Sequence, residues 1–158
     1  MDVTIEEYAG PHRDLAWSFR EAEDSERLLD AYIDLGRVWV AVTPEGETVA
    51  HLQAVPRGDG VWEVTNTAVA ESYRGQGIGR LLLLRAVDEA RSAGATRMIL
   101  ATATADLGNL RFYQRCGFRM LSIDRDAFTP ATGYPEPAEL IEGVELRDRV
   151  WFDRSLAH

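Results

Sequence analysis

The nineteen residues from Val61 to Gly79 leave this chain few choices of fold: Val-Trp-Glu-Val-Thr-Asn-Thr-Ala-Val-Ala-Glu-Ser-Tyr-Arg-Gly-Gln-Gly-Ile-Gly. β-Branched residues dominate the start, a short turn follows, and three glycines alternate with Gln76 and Ile78. Arg80 and the apolar run Leu81 to Leu84 come next. This order reads as a strand that delivers a glycine-rich turn to a helix N-terminus. Such a junction gathers backbone N–H groups, and the positive end of the helix dipole adds to them, so it suits a phosphate or pyrophosphate. Side chains in place of the glycines would hold the anion away from the backbone.

The spacing excludes two common phosphate sites. A P-loop needs Lys and then Ser or Thr after its last glycine, and Arg80 and Leu81 follow Gly79. The dinucleotide fingerprint needs a glycine three residues after Gly77, where Arg80 stands. What remains, Arg74-Gly75-Gln76-Gly77-Ile78-Gly79, resembles the pyrophosphate loop of the Gcn5-related N-acetyltransferases, which bind acetyl-coenzyme A. Asn109-Leu110-Arg111-Phe112-Tyr113-Gln114-Arg115-Cys116-Gly117-Phe118 looks like the second half of that family's signature. The two lie in the family's usual order and spacing. The resemblance covers nearly the whole chain and is weakest over residues 8–36 and 125–143.

Composition bounds the reading. At 158 residues the chain is expected to be a single domain, 1–158, with a real core. No apolar run approaches a membrane span and no signal-peptide core is seen at the start, so the expectation is a cytoplasmic protein without a membrane partner. One cysteine, Cys116, rules out an internal disulfide and a Cys-based zinc site, and no metal is expected. The net charge of −9 argues against nucleic acid as a partner. The charge is uneven: residues 1–36 hold ten acidic and three basic side chains, a net of −7, and residues 74–119 hold three acidic and eight basic ones, a net of +5. A basic middle favours a polyanion such as coenzyme A, and an acidic first part favours a cationic partner. Solvated helix faces account equally well for any single one of these charges. All 17 basic residues are Arg, which we read as codon bias.

In order, the pattern predicts a strand over Val3–Glu7, a helical region opened by Pro11, and a second helix capped by Ser25 with Leu28, Leu29, Tyr32, Ile33 and Leu35 on one face. Gly36 should stop it. Trp17 and Tyr32 read as core or groove-wall residues. Strands over Arg37–Thr43, Thr48–Pro56 and Val61–Ala70 should form an antiparallel meander. A helix over Gly75–Ala93, buried on more than one side at Leu81–Leu84, leads to a strand over Arg97–Ala103, parallel to Val61–Ala70. Asp106 or Asn109 caps a short helix to Cys116, and Phe118–Asp124 is a strand. Residues 126–143 carry no period. The last strand alternates Val144, Leu146, Val150 and Phe152 with charged residues. The resemblance gathers these into an α/β (α+β) fold: a mixed, mostly antiparallel six- to seven-stranded sheet flanked by helices, its central parallel pair splayed around acetyl-CoA.

The resemblance also assigns roles. Arg74, Gly75, Gln76, Gly77, Ile78, Gly79 and Arg80 hold the pyrophosphate, chiefly by backbone N–H. Ala68 and Val69 pair with the pantetheine arm. Asn109, Phe112 and Tyr113 line the thioester. Acyl transfer to an amine needs a proton acceptor, donors facing the carbonyl oxygen, and help for the departing thiolate. Glu63 is the candidate acceptor, directly or through water. It stands six residues before Val69, where one branch of the family carries its base, and simple alternation places it with Val61, Thr65, Thr67 and Val69. It reads equally as a solvent-facing strand carboxylate. Tyr113 is the candidate acid, against a packed aromatic beside Phe112. A backbone N–H near Ala68 or Val69 would polarise the carbonyl, and Asn66 could orient the acetyl group or a water. His51 reads as a filler rather than a base, and His12 and His158 have no ligand pattern around them. Cys116 reads as packing at a helix end.

The function expected is an acetyl-CoA-dependent N-acetyltransferase. It acts on a small cationic or peptide amine by direct attack in a ternary complex, as a monomer or homodimer. A longer acyl group, a hydroxyl acceptor, or a non-catalytic acyl-CoA-binding module are the alternatives.

Overall fold

A computed structural model describes residues 2–157. His158 lies outside the described residues. The chain forms two compact units: one runs to Met98 and takes in the end from Leu156, and the other is Ile99–Ser155.

The first unit opens with strand β1 (Thr4–Glu7), a 3-10 turn over His12–Leu15, and helices α1 (Ala16–Phe19) and α2 (Glu26–Tyr32). The Ser25 hydroxyl accepts from the Leu28 N–H at 3.3 Å, the expected cap. Strands β2 (Arg37–Val42), β3 (Thr48–Gly58) and β4 (Val61–Val69) follow, and β1 to β4 pair antiparallel in sequence order. Leu15, Phe19, Leu29 and Ile33 from the helical segment pack with Val38 and Val40 of β2. Buried Gln53 on β3 fixes α2: its Nε2 lies 2.9, 3.1 and 2.9 Å from the carbonyl oxygens of Tyr32, Ile33 and Leu35, the open end of that helix. Trp17 is exposed, so it is not a core residue. Leu35 is exposed as well, because the helix has ended before it.

Helix α3 (Ile78–Ser92) packs on β1 to β4. It starts three residues later than the pattern suggests, because Gly75 and Gly77 take φ of +78° and +82°, outside the right-handed helical region. Leu82, Leu83, Ala86, Val87 and Ala90 form its buried face, while Leu81 is exposed. Strand β5 (Arg97–Ala103) starts where β4 starts, since the N–H groups of Thr96 and Arg97 both donate to the Gly60 carbonyl. The two strands are therefore parallel, as a strand–helix–strand crossover of this length requires.

In the second unit, α4 (Leu107–Arg115) is capped by Asp106, whose carboxylate accepts from the Asn109 N–H at 3.0 Å. Strand β6 (Arg119–Asp124) follows. The stretch over 126–143 contains a 3-10 turn at Pro130–Thr132 and strand β7 (Leu140–Ile141), which pairs with β8 (Val144–Glu145) as a separate hairpin. The last long strand is thus shorter than its alternation implies: β9 is Arg149–Ser155, and Val144 is exposed on the small hairpin. Leu146, Val150 and Phe152 are buried as expected. The sheet order is β1-β2-β3-β4-β5-β9-β6, seven strands with one parallel pair.

Candidate active site

In the first unit the glycine turn is open to solvent. Arg74, Gly75, Gln76, Gly77 and Arg80 are exposed, whereas Ile78 is buried and pins the start of α3 to the core. A Cβ added at Gly75 or Gly77 would meet nothing within 4 Å, so what these positions demand is the left-handed backbone rather than room. No side chain caps α3 at Gly77. The first N–H groups of a helix have no partner inside it, so those of Ile78, Gly79 and Arg80 point out of the helix end. An anion fits this turn on geometry: open space, exposed amides and a helix dipole. The Arg74 side chain is partly engaged, with Nε donating to the Val69 carbonyl at 2.9 Å and Nη2 3.6 Å from Glu21. It ties the turn back to the end of β4, where Ala68 and Val69 pair with His51 and Ala50 of β3.

Glu63 does not lie where simple alternation puts it. Asn66 pairs with Gln53 and Val64 with Ala54, so Thr65 is the extra residue of a β-bulge. Directly paired residues share a face of the sheet. Glu63, opposite Val55, therefore shares a face with Asn66 and Ala68, and Thr67 and Val69 lie on the other. Its carboxylate is paired with Arg57, Oε1 to Nε 3.0 Å, and its side chain is 18% exposed.

On that same face Asn66 belongs to a buried polar chain. The Phe19 carbonyl can only accept, so the Asn66 amide nitrogen faces it at 3.1 Å and donates also to the Tyr32 hydroxyl at 2.9 Å. Asn66 Oδ1 then accepts from His51 Nε2 at 2.8 Å. His51 Nδ1 must be the acceptor for the Ser18 hydroxyl at 2.5 Å, and Tyr32 donates onward to Glu23 at 3.2 Å. The ring of His51 stacks on Phe19, with centroids 4.2 Å apart. Burial pushes the His51 pKa down to about 4, against a smaller raising effect of the Asn66 bond. His51 is neutral at working pH and is not a base in an accessible place. Asn66, the candidate for orienting the acetyl group or a water, is engaged at both ends of its amide. Sequence reasoning passed over Ser18, Tyr32 and Glu23 as polar partners. Nothing in a one-dimensional pattern ties residues this far apart, though polar His51, Gln53 and Asn66 amid apolar strands were a signal.

In the second unit Asn109, Phe112 and Tyr113 sit on α4. The Asn109 side chain donates to Thr102 of β5 at 3.1 Å, which sets the helix against its strand. Tyr113 is buried, its ring 5.3 Å from Phe112, 6.2 Å from Phe118 and 5.9 Å from Phe152. Burial, then the nearness of Asp106 and Cys116, raises its phenol above the ordinary value. Among the described residues no group of three His, Cys, Asp or Glu side chains could hold a metal ion, and no helix is long and apolar enough to cross a membrane.

Residues 6–118 match the model of the Acetyltransferase (GNAT) family. Over 130 residues the sequence is 32% identical to the uncharacterized N-acetyltransferase YvbK of Bacillus subtilis (strain 168), covering 82% of this chain and 81% of that protein. A solved Bacillus subtilis acetyltransferase in complex with CoA is similar at a TM-score of 0.89 and 28% identity, over 99% of this chain and 100% of the other. So is a GNAT family acetyltransferase from Elizabethkingia anophelis with acetyl-CoA bound, at 0.87 and 27%, over 97% of each chain.

Proposed function

Because the chain belongs to the acetyltransferase (GNAT) family, we propose that it transfers the acetyl group of acetyl-CoA to a primary amine by direct attack in a ternary complex. The observation that carries this reading is the junction of β4 and α3, where two left-handed glycines lead into a helix end that no side chain caps. The backbone N–H groups of residues 74–80 hold the diphosphate there, with Arg74 and Arg80 adding charge at its rim. Ala68 and Val69 offer backbone groups to the amides of the pantetheine arm.

Glu63, directly or through one water, takes the proton of an amine that arrives as an ammonium ion. Its carboxylate already accepts from Arg57 at 3.0 Å, which leaves its other oxygen for the amine or for a bridging water. A backbone N–H near Ala68 or Val69 faces the carbonyl oxygen as it gains charge. Asn109 and Phe112 bound the thioester. Tyr113 stays protonated throughout, because its phenol is held above its ordinary range. It acts as a hydrogen-bond donor to the departing thiolate, which ends as a thiol by taking the second proton, shed by the attacking nitrogen as the amide forms and the C–S bond breaks. The acidic surplus of residues 1–36 supports a small cationic or peptide amine as acceptor.

The test is CoA release from acetyl-CoA with polyamines, aminoglycosides, amino acids and N-terminal peptides in turn. The reading expects turnover with cationic acceptors, and Glu63→Gln should lower kcat about 100-fold with the KM for acetyl-CoA unchanged. Reaction with only neutral or anionic acceptors would overturn the acceptor class. Stabilisation by acetyl-CoA without turnover on any acceptor would make the protein a binding module.

A further inference from the structure

The two edges of the sheet are built differently. At one edge β1 carries Glu6 and Glu7, with Glu7 held by Arg37 at 2.6 Å. Charge along an edge discourages pairing with another chain. At the other edge β6, Arg119-Met-Leu-Ser-Ile-Asp124, leaves Met120 52%, Leu121 50% and Ile123 54% exposed.

The register of β6 on β9 orders its side chains. Arg119 pairs with Asp153 and Met120 with Phe152; then Ser122 pairs with Trp151, Ile123 with Val150 and Asp124 with Arg149. Leu121 is the extra residue of a bulge. Paired residues share a face, so Met120 and Ile123 lie with buried Phe152 and Val150, and Arg119, Ser122 and Asp124 lie on the other face. The ladder positions therefore read basic, apolar, Ser, apolar, acidic, with faces alternating. Read backwards, the faces are unchanged and the charges are complementary. An antiparallel second copy centred on Ser122 sets Arg119 against Asp124, Met120 against Ile123 and Ser122 against itself, with each pair on one face. A regular strand could not do this, because residues five apart would point to opposite sides.

We propose that β6 is a homodimerisation edge, across which two copies of this chain pair antiparallel about a two-fold axis at Ser122. The occupant is a second copy because the charge order is complementary to itself. A six-residue edge is a short contact beside the roughly 800 Å² per partner of standard interfaces, so association is reversible and concentration-dependent.

Sedimentation velocity of the full chain over a concentration series tests this. The parent protein should shift from monomer to dimer. Arg119→Asp sets acid against acid at both ends of the contact, and Asp124→Arg sets base against base; each alone should weaken the dimer at least about tenfold. Mixing the two variants should restore it, since every end pair is again opposite in sign. Asp124 also accepts from Arg149 and Trp151, so a second measurement stands apart from its fold. Ser122→Cys should cross-link to itself under mild oxidation at least about tenfold faster than Arg111→Cys on α4, because directly opposed strand residues meet the Cα separation of a disulfide. The native Cys116 is buried. A parent that stays monomeric, a dimer indifferent to both charge reversals, or a dimer in which Ser122→Cys does not cross-link would each overturn the proposal.

Discussion

His51 shows how burial sets the behaviour of one residue. It is fully enclosed, donates to Asn66 and accepts from Ser18, which leaves no room for a second proton. Its pKa falls from the ordinary 6.5 to about 4 in the folded chain. The unfolded state therefore binds more protons between those values, and stability rises with pH there. The contribution is complete above pH 6.5 and drains away as pH falls to about 4, on the order of 3 kcal/mol in all. Thermal unfolding between pH 7 and 4 should show this loss, and His51→Gln should flatten the slope in that window while lowering the midpoint at pH 7. Tyr113 makes a complementary case. Tyr113→Phe keeps the aromatic packing with Phe112, Phe118 and Phe152, so thermal stability should change little. If the hydroxyl serves the leaving thiolate, kcat should drop about tenfold or more with binding of acetyl-CoA unaltered, as measured by CoA release and calorimetry.

At the level of elements, caps and turns were legible, and so was the buried face of β9, but the faces of β4 were not. Ser25, Asp106 and the glycines at 75 and 77 act through local backbone chemistry that depends on residues a few positions away. Ser25→Ala should cost about 1 kcal/mol by loss of one N-cap bond, read as a lower unfolding midpoint. Gly77→Ala forces a Cβ onto a φ of +82° and should cost roughly 1–2 kcal/mol of strain without a clash. If the turn holds the diphosphate, acetyl-CoA affinity should fall about tenfold or more, beyond what the small stability change explains. The face of Glu63 escaped prediction because β4 carries one extra residue, at Thr65. A bulge inverts the parity of everything beyond it, and nothing in the residue types announces it.

For the whole molecule, charge and cooperativity give the accessible tests. Part of the acidic surplus is spent internally: Arg13 pairs with Asp30 and Asp34, Arg20 with Glu26, and Arg37 with Glu7. The remaining field should still draw a cationic acceptor, so its KM should rise with ionic strength while that of a neutral analogue stays flat. If the chain acts as a single domain, one unfolding transition is expected, raised by acetyl-CoA by about 2.7 kcal/mol at a hundredfold excess over Kd. The linear order of residues determined the glycine turn, the antiparallel meander and the parallel partner of β4, because those follow from local backbone preference and hydrophobic period, and its two motifs carried the likeness to the family. Only tertiary structure decided that Glu63 faces with Asn66 and is held by Arg57, that His51 is sealed in a polar chain reaching Glu23, and that β6 presents a self-complementary edge. Register and burial come from contacts between residues far apart in the chain, and no short window of sequence contains both partners.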